Sequence, residues 1–123
     1  MITGRVNENY EAVISVQMRG SNRRFEAIID TGFQGADLLL PRSVIRQLGL
    51  EPAGDMVLKL ANEQDAVFNF YNGEVMWHDS FKKVRILESD FSYLASADLL
   101  AGSRVCIDMT PGGTVTIDEL PPS

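Results

Sequence analysis

Apolar and polar positions alternate along most of this chain. In YEAVISVQMRG (Tyr10 to Gly20), Ala12, Ile14, Val16 and Met18 share one face, and Val13, Ser15 and Gln17 share the other. That period of two predicts a strand. The turn residues Gly20 to Asn22 lead into RRFEAIID (Arg23 to Asp30), and the two runs predict a hairpin. A short apolar run, Leu38 to Leu40, ends at Pro41. PRSVIRQLGL then predicts a short helix. Pro41 suits its first turn, Val44, Ile45 and Leu48 form its apolar face, and Gly49 stops it.

Further strands follow. VLKL and AVFNFY flank Ala61-Asn62-Glu63-Gln64, a hairpin tip, and Asn72-Gly73 predicts a second tight turn. KKVRILE predicts another strand, with Glu88 and Asp90 in a solvated turn after it. SYLASADLLAGS predicts a second helix, with Leu94, Ala97 and Leu100 or Ala101 at helical spacing and Gly102 as its stop. RVCIDM and TVTIDEL flank TPGG as a closing hairpin, and residues 119–123 read as a flexible tail. The fold class is mostly β with one or two short helices. There is no long linker or internal repeat, so 1–123 reads as one domain.

Charge narrows the function classes. A net charge of −6 argues against a general nucleic-acid binder, which needs a Lys/Arg surface to displace counterions. The basic cluster RGSNRR (Arg19 to Arg24) has turn residues at its centre and reads as a solvated hairpin tip rather than a phosphate site. No run approaches the roughly 18 apolar residues of a membrane span. The N-terminus has no basic segment followed by an apolar one, so a cytoplasmic protein is expected. The single cysteine, Cys106, lies in a strand-like run and reads as a buried, inert thiol. His78 has no second His or Cys nearby and reads as a surface histidine at a strand end, and Trp77 reads as core or interface.

One acid stands apart. In FEAIIDTGFQGADLLLP, Ile28 and Asp30 fall on one strand face and Ala27 and Ile29 on the other, so both faces are apolar just before the carboxylate. Burying such a group costs several kcal/mol unless it finds partners. Thr31 brings a hydroxyl, and Gly32 lets another main chain or a ligand come close. An exposed Asx-turn after a strand is the plainer alternative.

The segment AIIDTGFQGADLLLP resembles the active-site segment of retropepsin-like aspartic proteases, in particular their small bacterial members. YLASADLLAGSRVCID (Tyr93 to Asp108) is similar to the later segment of that family, and LKLANEQDAVFNF lies between the two where the family has its flap. The likeness spans about Tyr10 to Asp118. It implies a single-lobe subunit with a closed β-barrel, the acid protease fold. It also implies an aspartic endopeptidase with Asp30 as the catalytic acid, Thr31 and Gly32 supporting its loop, and Ala61, Asn62, Glu63 and Gln64 forming the flap over an extended peptide or protein substrate. No metal or cofactor is implied. Only one Asp-Thr-Gly occurs, and Asp37, Asp98 and Asp108 do not repeat its setting, so the second aspartate is expected from another copy in a homodimer. TVTIDEL is a candidate for pairing across that dimer, or else it pairs within its own subunit.

The chain departs from the pattern at Ser96, where the family has Gly, in the glycine-free flap tip, and at Phe33 and Gln34, which narrow the space beside Asp30. A non-catalytic module that uses the same cleft to bind peptide or to dimerise is the alternative function.

Overall fold

The computed structural model describes residues 1–60 and 62–122. Ten strands and two short helices occur among them: β1 (Ile2–Val6), β2 (Ala12–Gln17), β3 (Arg24–Asp30), β4 (Leu38–Pro41), α1 (Arg42–Leu48), β5 (Glu51–Lys59), β6 (Asp65–Trp77), β7 (Ser80–Ser89), β8 (Leu94–Ser96), α2 (Ala97–Leu100), β9 (Ser103–Ile107) and β10 (Thr114–Glu119). The strands form one sheet in the order β5-β6-β7-β4-β8-β3-β2-β1-β10-β9. β5 and β9 are its two free ends, so the described pairing is that of an open sheet rather than the closed barrel expected. The sheet nevertheless folds back on itself. Met18, just past β2, bridges Val75 of β6, and the Arg19 amide donates to the Glu74 carbonyl.

The expected β2–β3 hairpin forms, with Val13 opposite Ile28 and Gln17 opposite Arg24. The face of Ala12, Ile14, Val16 and Met18 is buried, as its alternation requires. It packs with Leu38, Leu40, Val75, Ile86, Leu99, Val115 and Ile117 in the interior. α1 forms as read, with Val44 and Ile45 buried and Gly49 in the left-handed conformation that ends it. Pro41 sits one residue before the helix, as the last residue of β4. Trp77 is in the core. β10 reaches Glu119, and the Leu120 amide donates to Gly102. No helix among the described residues is long and apolar enough to cross a membrane.

Four further expectations need correction. Asn72-Gly73 is not a turn; both residues lie inside β6, opposite Arg85 and Val84. A Cβ on Gly73 would come within 2.9 Å of Ile86 Cδ1 and Met18 Cε, so the glycine serves the close approach of the folded-over sheet. The turn lies at His78-Asp79, where both residues take positive φ (50° and 68°) between the paired residues Trp77 and Ser80. Two such residues match a type I′ hairpin turn. The second helix is only Ala97–Leu100, because Leu94–Ser96 is instead held as a strand between β3 and β4. Cys106 is exposed, since β9 is an edge strand and this side chain faces away from the core.

Glu88 is the fourth. It lies in β7 rather than in a solvated turn, and it accepts a hydrogen bond from the Tyr71 hydroxyl (3.0 Å) and pairs with Arg42 (3.2 Å). Burial, and then the bond to the Glu88 carboxylate, raise the Tyr71 phenol above its ordinary value.

Two outcomes follow from this packing. Gly73→Ala will lower stability by about 1 kcal/mol, read from the urea midpoint, because the tips of Ile86 and Met18 must shift to admit the methyl group and alanine's better fit to a strand offsets part of that cost. The raised Tyr71 value adds stability at neutral pH that is lost as pH rises through the phenol range above about 10. Tyr71→Phe will therefore flatten the alkaline limb of the stability–pH curve.

Candidate active site

The geometry around Asp30 follows from one feature of strand order. β8 lies between β3 and β4, parallel to the first and antiparallel to the second. Asp30 ends β3 opposite Ser96, which ends β8. To reach β4, the chain from Thr31 to Asp37 must cross over the end of β8.

That crossing is bonded at several points. The Ser96 amide donates to the Asp37 carbonyl (3.1 Å), and the Ala97 amide donates to the Phe33 carbonyl (3.2 Å). The Gly35 amide donates to Asp98 Oδ2 (3.0 Å). The Ser96 hydroxyl, fully buried, donates to the Ala36 carbonyl and accepts from the Leu99 amide (3.3 Å). Ser96 is thus both the N-cap of α2 and a strut under the loop. The Ser96 side chain spends both its donor and its acceptor locally.

Asp30 is half-buried, and its Oδ1 accepts from the Gly32 amide (3.0 Å). The Phe33 amide donates to the Asp30 carbonyl (3.2 Å). The Asx-type turn weighed as the plainer reading is therefore present. It leaves the carboxylate at the end of an interior strand, part in and part out of solvent. Thr31 and Gly32 are exposed beside it, and Gln34 is exposed on the loop while Phe33 is half-buried.

The β5–β6 hairpin leans over this loop. Gly35, at φ +105°, stands where a Cβ would lie 3.1 Å from Leu58 Cδ2 and 3.7 Å from Met56 Cε. At the hairpin's end, Lys59 pairs with Asp65, and the Leu60 amide donates to the Gln64 carbonyl (2.8 Å). Asn62 Oδ1 accepts from the Gln64 amide, and Glu63 takes the left-handed conformation (φ 65°) that glycine would otherwise supply. Asn62, Glu63 and Gln64 are exposed, and Ala61 lies outside the described residues.

Two acids weighed only as partners for Asp30 have structural duties instead. Asp98 holds the Gly35 amide, and Asp37 Oδ2 accepts from the Arg85 amide (2.8 Å). The role of Asp98 went unread. Its signal was a carboxylate in the first turn of a helix beside a glycine-rich loop, and only the crossing of β3 and β4 over β8 brings the two together. His78 bonds Ser103 Oγ through Nε2 (2.8 Å), well apart in the chain from the Asp30 loop.

The struts make a measurable claim. Ser96→Ala will cost about 1–3 kcal/mol, since it removes a helix cap and leaves the Ala36 carbonyl unpaired. Chemical denaturation will report it, and an unchanged midpoint would contradict the role given to the hydroxyl.

No protein-family model matches the sequence, and no curated protein matches it. Solved structures do. The crystal structure of a retropepsin-like aspartic protease from Rickettsia conorii aligns with a TM-score of 0.62 at 17% identity, over 97% of this chain and 92% of that one. At that identity the likeness speaks for the fold, and the fold of this chain is retropepsin-like.

Proposed function

We propose that the protein is an aspartic endopeptidase whose catalytic pair consists of Asp30 from each of two identical subunits. The observation that carries this reading is the placement of Asp30. A partly exposed carboxylate closes an interior strand and is presented by a loop bonded to β8 and α2 through Ser96, Ala97 and Asp98. A precise, stiff mount for an acid is what general acid–base chemistry requires and what a surface turn does not. The retropepsin-like fold supports the same reading. Asp37 and Asp98 are engaged by backbone amides, which favours a second subunit as the source of the partner acid.

In the dimer the two Asp30 carboxyl groups face each other and share a proton, because like charges about 3 Å apart do not both ionise readily. The ionised carboxylate takes a proton from a water held between them as the water oxygen attacks the scissile carbonyl carbon. The protonated carboxyl hydrogen-bonds the carbonyl oxygen as charge develops there. Collapse of the tetrahedral species transfers a proton to the leaving amine and restores the shared-proton pair. The Thr31 hydroxyl, exposed beside Asp30, bonds the main chain of the partner's loop, and Gly32 permits the close approach. The hairpin end at Asn62 to Gln64, with Ala61, closes over the substrate as a flap. The substrate lies extended, as an added strand with alternating side-chain pockets.

Cleavage of a peptide library across about pH 3–7 tests this. The parent will cleave at acidic pH and lose activity as the shared proton is lost, and Asp30→Asn will be slower by about 10²–10⁴-fold. Persistent cleavage by the variant would overturn the aspartic mechanism. Binding without cleavage by either protein would favour a peptide-binding module on the same fold.

A further inference from the structure

The sheet lays out a row of residues that leads away from Asp30. Asp30 lies opposite Ser96 on β8, and the Ser96 amide donates to the Asp37 carbonyl just ahead of β4. The Asp37 amide in turn donates to the Arg85 carbonyl (2.9 Å), and the Arg85 amide returns a bond to Asp37 Oδ2 (2.8 Å). Arg85 of β7 is therefore clamped to the far end of the loop that begins at Asp30. Inter-strand steps of about 4.8 Å, taken three times, put the two residues roughly 14 Å apart. An extended peptide covers that span in about four residues.

From this row we infer a specificity site: Arg85 receives the side-chain carboxylate of a substrate Asp or Glu about four residues from the bond that is cut. Arg85 acquires this role only under the proposed function, which supplies the substrate. The wall leading to it is apolar. Met56, Leu58, Ala66, Phe68 and Phe70 alternate onto one face of the β5–β6 hairpin, and all of them are half-buried. That face meets the Asp30 loop, since Leu58 and Met56 are the side chains that a Cβ on Gly35 would touch.

At the end of this wall the guanidinium is already in place. Arg85 Cζ lies 4.6 Å from the centroid of the Phe70 ring, a cation–π stack. Stacking occupies the flat face of a guanidinium and leaves the N–H groups at its rim to donate. No acid of the chain takes them. Arg85 is exposed and belongs to no ion pair among the described residues. Around it, Asp37 spends Oδ2 on the Arg85 amide, Asn72 stands opposite on β6, and Glu51 lies one strand further on. Lys83, on the same face of β7, stands opposite Glu74. Arg19 shows the contrast. It too stacks on a ring, that of Phe81, yet it is paired with Glu74 at 2.9 Å. Arg85 has the ring and lacks the acid.

A stacked guanidinium has given up side-chain freedom in advance, so less ordering is needed when a carboxylate arrives. The carboxylate gains charge-assisted, two-pronged hydrogen bonds, whereas a substrate Lys or Arg in the same place meets like charge. In the dimer the row occurs on both sides of the scissile bond. Acids are then favoured at both ends of a segment of about eight residues.

The test uses the full chain and peptides of about ten residues, blocked at both ends so that side chains carry the only carboxylates. With the fourth position from the cut varied, Asp or Glu will be preferred over Gln by about five- to tenfold in kcat/KM, and by less as salt rises. Arg85→Met keeps apolar cover on Phe70 and removes the charge; it will bring the ratio of acidic to neutral peptides close to one. Arg85→Glu will invert the ratio in favour of Lys. A parent without the acid preference, or a ratio unchanged in both variants, would overturn the site while leaving the proposed hydrolysis standing. If no peptide is cut, anisotropy of the same peptides carrying a fluorophore decides the matter separately. Tighter binding of the acidic peptide that Arg85→Met loses upholds the site and counts against the enzyme. Equal binding of acidic and neutral peptides overturns the site, and binding of neither overturns both.

Discussion

The crossing of the Asp30 loop over the end of β8 is the constraint on which the site depends. Strand order alone creates it. With β8 inserted between β3 and β4, the seven residues from Thr31 to Asp37 must pass above Ser96, whose side chain is fully buried there. A loop in that position has backbone groups shielded from water, and shielded groups without partners are costly. Ser96, Ala97 and Asp98 supply those partners from one short segment. The same bonds that satisfy the loop also set where Asp30 points.

This arrangement couples stability to the proposed chemistry. The β3–β8 ladder is short, and α2 has a single turn, yet both lie against the interior formed by Leu38, Ala95 and Leu99. The site is mounted on core-packed elements rather than on a free loop, which is how precise geometry is kept in small proteins. The hairpin above it is built differently. β5 is the opposite edge of the sheet, and Val57 and Val67 face each other in solvent on its outer side. A scaffold that is firm below and lightly packed above suits a cleft that opens and closes.

How much of this was legible beforehand varies by element, for physical reasons. The β2–β3 hairpin, α1, the hairpin tip near Gln64 and the closing β9–β10 hairpin all followed from local signals, namely alternation, turn residues and helix stops. Those signals are properties of a few adjacent residues and survive folding unchanged. The Asp30 segment was legible because two apolar faces before an acid form a local pattern too. Gly73 was misread because a glycine for turning and a glycine for close approach look alike in one dimension; the difference lay in Ile86 and Met18, distant in sequence. Leu94 to Ser96 had helical spacing but became a strand because β3 and β4 offered backbone partners on both sides. Cys106 had a strand's alternation, but its exposure depended on which face of β9 met the core, and that is the face of Val105 and Ile107. The sequence by itself thus determined local conformation and which acid stands in an unusual place. The tertiary structure decided strand order, and through it the struts that hold Asp30, the close approach at Gly73 and the free edge at β9, because each arises from long-range pairing that no local window contains.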